Sequence, residues 1–233
     1  MGHYAIILGG GSGRRMGADV NKVFLPLRGI PAIVRAIVPF TGYCAGAVVV
    51  AAADEVEDMR TLLARYGLSR FVKAVVAGGS ERQHSVRNGL QALPADAEYV
   101  LIHDGARALV TEAVISRAIK SVDIHGSGVA AVPVVDTIKR AAPDGLVQET
   151  PDRSSLYAIQ TPQAFRMDVI MQAHAKALAD GFMGTDDASL LEHAGIPVYL
   201  SEGDRENIKL TTPVDIRLAE VILQIRSEEE DPT

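Results

Sequence analysis

Short apolar, β-branched runs alternate along the chain with segments whose apolar residues recur at helical spacing. Tyr4 to Leu8, Ala47 to Ala52, Phe71 to Ala77, Tyr99 to His103 and Val129 to Pro133 read as strands. Pro31 to Phe40, Glu55 to Tyr66, Glu81 to Leu93 and Thr111 to Val122 read as helices, with Pro31 and Thr111 suited to helix starts. Such alternation means parallel strands with crossover helices, and the near-continuous apolar strands imply a sheet covered on both faces. The expected fold is α/β: a doubly wound, mostly parallel sheet in a three-layer α/β/α sandwich. Asp136 to Ile159 breaks the rhythm with short β-like pieces around Pro143, Gly145 and Pro151, and reads as an excursion from the sheet. Helices are expected again at Met167 to Ala179 and Asp187 to His193, then strands at Pro197 to Leu200 and Ile208 to Leu210, and a closing helix at Pro213 to Ile225. Residues 1–226 form one domain with the excursion inserted at about 136–160, and the acidic tail Ser227 to Thr233 is expected to be disordered.

Composition narrows the function classes. A net charge of −6 argues against bulk nucleic-acid binding, so a polyanionic ligand must meet a local cluster of Lys and Arg. The apolar runs are too short to span a bilayer and the first residues show no basic segment followed by an apolar one; the expectation is a cytoplasmic protein without membrane attachment. The single cysteine, Cys44, has no partner for a disulfide or a zinc site and reads as a core residue.

The first strand runs into Gly9-Gly10-Gly11-Ser12-Gly13-Arg14-Arg15-Met16-Gly17. Glycines let the backbone approach a ligand closely and turn N–H groups toward an anion, so this reads as a phosphate or nucleotide loop. A structural turn and a dinucleotide fold are the alternatives. The Walker pattern is absent, no acidic residue follows at the position a nicotinamide ribose needs, and Arg14, Arg15 and Lys22 supply cations nearby. Lys22 taken alone is a snorkelling surface lysine; beside the glycine loop it can serve a triphosphate.

A second glycine turn, Gly78-Gly79-Ser80-Glu81-Arg82-Gln83-His84-Ser85, follows a strand and opens a helix, where open α/β sheets bind ligands. Ser85 has a plain first-turn reading as well, and His84 reads as surface. Asp104 ends an apolar strand in Ile102-His103-Asp104-Gly105-Ala106-Arg107, so its carboxylate projects toward the crevice. Mg²⁺ takes one or two carboxylates plus substrate phosphates, which makes a lone Asp104 a sufficient ligand; a helix cap is the alternative. Gly184-Thr185-Asp186-Asp187-Ala188-Ser189 reads as a capped helix start, and Lys209 stands in a short expected strand. Lys139 and Arg140 read as solvated surface.

Together these stretches resemble the 2-C-methyl-D-erythritol 4-phosphate cytidylyltransferases of the non-mevalonate isoprenoid pathway. The matches are the opening turn with Arg-Arg-Met, Lys22 before Phe24-Leu25, Gly-Gly-x-x-Arg-x-x-Ser, His-Asp-x-Ala-Arg, Thr-Asp-x-Ala-Ser, and Glu202-Gly203 through Asn207-Ile208-Lys209 to Thr211, Pro213 and Asp215. The resemblance implies a Rossmann-like nucleotidyltransferase with a projecting β arm that reaches a second subunit, hence a homodimer. It implies CTP and a small polyol phosphate as substrates. The nucleotide is assigned to Gly9, Gly10, Gly11, Gly13, Gly78, Gly79 and Ser85, and Mg²⁺ or another divalent cation to Asp104. Arg15, Lys22 and Lys209 are the expected catalytic cations, and Arg107, Thr137, Arg153, Thr161 and Thr185 are assigned to the polyol phosphate. Arg153 is expected to serve the neighbouring subunit. The chain departs from the family at Val23, usually glutamine, and at Ala108, usually proline, which bears on the rigidity of that loop.

The implied reaction is in-line attack of the substrate phosphate on the α-phosphorus of CTP. The nucleophile is already anionic, so neutralisation of charge at phosphorus and on the leaving pyrophosphate is what fixed cations must supply. Competing readings are a ribitol 5-phosphate cytidylyltransferase, a dinucleotide-dependent oxidoreductase, and a silent nucleotide-binding protein. The Gly105-Ala106-Arg107 and Thr137-Ile138-Lys139-Arg140 forms lean toward the erythritol substrate.

Overall fold

A computed structural model describes residues 2–11 and 21–230 of the chain. The expected sites Gly13 and Arg15, and Arg14 beside them, lie outside the described residues. A seven-stranded sheet runs through the centre in the order β11-β7-β10-β6-β1-β4-β5. Its strands are β1 (His3–Leu8), β4 (Gly46–Ala51), β5 (Val72–Ala77), β6 (Tyr99–Asp104), β7 (Ser127–Pro133), β10 (Tyr157–Arg166) and β11 (Leu200–Glu202). β1 pairs in parallel with β4 on one side and β6 on the other, β4 with β5 and β11 with β7 likewise; β10 alone runs antiparallel, between β6 and β7. The doubly wound, mostly parallel arrangement read from the sequence is therefore present.

Alternation along the strands sets the layers. Ala5, Ile7, Val49 and Leu101 pack on one face against α1 (Ala32–Ile37), α2 (Val56–Arg65) and α4 (Glu112–His125). Ile6, Val50, Val100 and Ile102 pack on the other against α3 (Arg82–Gln91), α5 (Met167–Ala179) and α6 (Ala188–His193). Because both faces are covered, the strands read as apolar throughout rather than half polar. A smaller cluster joins α7 (Pro213–Glu230) to Ala106, Ala108, Leu109 and Leu210, and to Leu27 in the short hairpin β2 (Pro26–Leu27) and β3 (Ile30–Pro31).

The structure departs from the sequence reading in four places. β10 begins within the expected excursion and extends well past its end; Pro162, which cannot donate to a ladder, sits where the β7 register shifts between Ile159 and Gln163, so no rung depends on it. Ile208 to Leu210 form no strand: the Leu210 N–H donates to the Ala106 carbonyl at 2.8 Å, one link to the loop after β6 rather than a ladder. The strand expected at Pro197 to Leu200 begins only at Leu200. The closing helix runs on to Glu230, correcting the expectation that the tail is disordered from Ser227. Glutamate is a good helix former, and the last turn is tied by Ser227 Oγ donating to the Gln224 carbonyl (2.7 Å) and Gln224 Nε2 to Glu228 Oε1 (2.9 Å). The excursion itself holds a separate hairpin, β8 (Arg140–Ala141) with β9 (Val147–Glu149), and exposes Val135, Ile138, Leu146 and Val147.

Candidate active site

β1 is the strand at which the chain's winding changes direction, and ligands of open α/β sheets bind beyond the carboxyl ends of strands at such a point. The two glycine turns follow β1 and β5, and Asp104 ends β6, so the topology delivers all three to one edge. They enclose a cavity of about 470 Å³ lined by Gly10, Gly11, Gly79, Ser85, Lys22, Arg82, Asp104 and Lys209. That volume suits a small-molecule site.

The glycines are required by close approach. A Cβ at Gly10 would lie 2.9 Å from the Ala51 carbonyl carbon and 3.0 Å from Ala52 N, so the first turn runs against the end of β4. One at Gly79 would strike the His84 side chain at the start of α3. Ser85 Oγ accepts from the Gly79 N–H and donates to the Glu81 carbonyl, both at 3.1 Å, closing the second turn on its helix. Asn21, which the sequence reading passed over, does the same for the first. Its Nδ2 donates to the Gly9 carbonyl and to Glu55 Oε2 at 2.7 Å each, and its Oδ1 accepts from the Val23 N–H, so the turn carrying Lys22 is fixed to the glycine turn.

Charge converges on Asp104. Lys209 Nζ lies 2.6 Å from its Oδ2 and Arg82 Nε 3.4 Å from its Oδ1. Burial alone would raise this carboxyl, but the Arg82 and Lys209 charges and the Lys209 hydrogen bond hold it well below the usual carboxylate range. Arg82 was missed as a site residue because its partner Asp187 is 105 positions away, with Arg82 Nη2 at 2.7 Å from Asp187 Oδ2. Behind Asp104, the buried His103 ring lies between Thr161 Oγ1 (3.0 Å from Nδ1) and the Arg107 carbonyl (3.2 Å from Nε2). A carbonyl only accepts, so Nε2 carries the proton, and the Thr161 hydroxyl donates to Nδ1 while accepting from the Asp104 N–H at 3.0 Å. Burial pushes His103 down to about 4, keeping it neutral.

Of the expected site residues, Gly10, Gly11, Gly79, Ser85, Lys22, Asp104 and Lys209 meet at the cavity. Gly9 is buried behind the turn, its N–H on the Val50 carbonyl, and Gly78 stands at the end of β5 with its N–H on the Ala51 carbonyl. Thr161 is buried with its hydroxyl engaged as above. Arg107 turns from the cavity toward the backbone, donating to the Asn207 carbonyl (2.6 Å) and the Ile159 carbonyl (3.4 Å). Thr137, Arg153 and Thr185 are exposed, and Arg153 Nη1 donates to the Val135 carbonyl at the base of the excursion (2.6 Å). Val23 is buried among apolar side chains, as valine suits. Ala108 packs beside Leu109 and Leu210, and this packing, with the Arg107 N–H on the Asp104 carbonyl, secures the loop without a proline.

Among the described residues no helix is long and apolar enough to cross a membrane. The family model for 2-C-methyl-D-erythritol 4-phosphate cytidylyltransferase matches residues 3–225. The enzyme of that name from Geobacillus kaustophilus is 50% identical over 232 residues, covering 98% of this chain and 100% of its own. The one from Symbiobacterium thermophilum is 48% identical over 219 residues, covering 94% and 92%. Among solved structures, 4-diphosphocytidyl-2C-methyl-D-erythritol synthase from Anaerococcus prevotii superposes with a TM-score of 0.85 at 30% identity, covering 96% of each chain. With the family model spanning nearly the whole sheet and both glycine turns, the chain belongs to the 2-C-methyl-D-erythritol 4-phosphate cytidylyltransferase family.

Proposed function

We propose that the chain transfers CMP from CTP to 2-C-methyl-D-erythritol 4-phosphate, giving 4-diphosphocytidyl-2-C-methyl-D-erythritol and pyrophosphate, a step of isoprenoid precursor synthesis. The observation that carries the reading is the convergence of Lys22, Arg82 and Lys209 around Asp104 in a cavity walled by two glycine turns. Such a site offers backbone N–H groups and fixed cations to a triphosphate and has no need of a general base, because the attacking phosphate oxygen is already ionised. Lys22, with Arg15, neutralises the α-phosphate and the leaving pyrophosphate. Lys209 orients the attacking phosphate, with Arg107, Thr137, Thr161 and Thr185 around the polyol. Arg107 and Thr161 must leave their present hydrogen bonds to do so.

The donor set fits a divalent cation. Asp104 is ionised and faces the cavity, and Mg²⁺ commonly takes a single carboxylate together with substrate phosphates. Asp104 would hold the ion, with Lys209 moving from Oδ2 to a substrate phosphate. When bound, the ion would neutralise phosphate oxygens and align the triphosphate. The excursion between β7 and β10 is the proposed dimer arm, with Arg153 serving the neighbouring subunit; its exposed Val135, Ile138, Leu146 and Val147 are what a partner would cover.

Pyrophosphate release tests the reaction. CTP with 2-C-methyl-D-erythritol 4-phosphate should far outperform ATP or GTP, because the Gly78 to Ser85 turn matches the family's cytosine-reading motif, and ribitol 5-phosphate should be a poor second substrate. Equal turnover with a purine triphosphate would reject the cytidylyl assignment.

A further inference from the structure

Asp187 stands immediately before α6, yet it does not cap that helix. Asp186 does so, its Oδ1 accepting from the Ser189 N–H at 2.9 Å, while the Ala188 N–H donates to Gln163 Oε1 at 3.0 Å. The Asp187 carboxyl is 1% exposed and turned inward. Its Oδ2 accepts from Arg82 Nη2 at 2.7 Å, and its Oδ1 is buried with no hydrogen-bond partner. A buried carboxylate with one charged partner is costly, so its position in the core calls for a reason other than stability. The reason is visible on the other side of Arg82. The guanidinium, still 28% exposed, reaches from Asp187 to Asp104 Oδ1 and lines the cavity with Lys22 and Lys209.

We propose that Asp187 is a positioning residue for the transfer: by holding Nη2 of Arg82 it fixes the guanidinium as a stationary cation on the nucleotide side of the cavity and keeps it from closing fully on Asp104. With Nη2 engaged by Asp187 at 2.7 Å, the planar guanidinium meets Asp104 through Nε alone, at a longer 3.4 Å contact. Without Asp187, Arg82 would be free to form a two-toothed pair with Asp104, and the carboxylate that faces the cavity would be closed off. The inference builds on the proposed transfer, but its central test reads CTP binding and stability and so does not depend on the second substrate.

A double-mutant cycle of Asp187→Asn and Arg82→Gln separates positioning from simple support of the fold. Asp187→Asn should keep native circular dichroism while weakening CTP binding by calorimetry, and lowering kcat/KM for CTP, by about tenfold or more. KM for the polyol phosphate should move little. In the Arg82→Gln background the same replacement should cost less than about twofold further, since Asp187 acts only through Arg82. Stability should follow the same cycle: Asp187→Asn should lower Tm less in the Arg82→Gln background than in the unaltered chain, because the Arg82 contact is already gone. An Asp187→Asn chain with unchanged CTP affinity, or equal losses in both backgrounds, would overturn the proposal. Should Arg82→Gln fail to fold, the double variant, which carries no buried carboxyl at this place, still supplies the comparison with Asp187→Asn. Lack of turnover by the unaltered chain would count against the proposed reaction and leave the CTP-affinity cycle standing.

Discussion

Lys22 and Lys209 come to one cavity from opposite ends of the chain, and each is fixed differently: Lys22 by the Asn21 clamp on the glycine turn, Lys209 by Asp104. Lys209 must exchange Asp104 for a substrate phosphate, whereas Lys22 stands on a turn already held in place, and a cation so held costs little reorganisation when charge builds at phosphorus. Lys22→Ala should therefore lower kcat by on the order of 10² with the fold intact, and a native circular dichroism spectrum with a loss below about threefold would make Lys22 a surface cation instead. His174 carries a different consequence. It is 5% exposed in α5, and burial, with the Arg87 and Arg82 charges adding to it, pushes its imidazole down to about 4. Below its unfolded value of about 6.5 the unfolded chain binds a proton that the folded chain refuses, so its contribution is complete above pH 6.5 and is lost as pH falls toward 4. Tm should decline with acid across that window, and His174→Leu should flatten the decline; an unchanged slope would mean that the ring is protonated inside the fold. His103, lowered to about 4 as well, should leave part of the slope in the variant.

At the scale of elements, the first glycine turn is shaped by β4 as much as by any ligand. Gly10→Ala should force the turn off the Ala51 carbonyl, weaken CTP binding measurably in a calorimeter and cost about 1 to 3 kcal/mol of stability; unaltered affinity would show that this turn does not bear on the nucleotide. The parallel strands and their helices were legible because each apolar run is buried on both faces and each is followed by a turn or cap that breaks the pattern. β10 was not, since Gln160, Thr161, Pro162 and Gln163 occupy its middle and their side chains find their shorter hydrogen bonds in distant segments: Gln160 at Asp204, Thr161 at His103, Gln163 at Asp186. The site divides along the same line. Lys22, Asp104 and the glycines lie in compact local motifs, whereas Arg82 acquires its meaning from Asp187 and Asp104, and Asn21 from Gly9 and Glu55, contacts that spacing along the chain does not reveal.

For the whole molecule the proposed dimer makes the strongest demand. If Arg153 serves the neighbouring site, an Arg153→Ala chain and an Asp104→Ala chain should each be poorly active alone. A mixed dimer places both lesions in one site and leaves the other whole, so activity should rise on mixing toward that of one good site per dimer. No recovery would return the arm to its own subunit, and a monomer by sedimentation at assay concentration would remove the basis of the idea. The pairing of Pro133 with Tyr157 adds a consequence of its own. That rung closes the sheet on both flanks of the arm, so residues 134–156 hang from the core by a single antiparallel gate. Changes of length within the arm would leave the buried strands undisturbed, and a chain with a shortened arm that keeps this rung should fold like the unaltered chain by circular dichroism.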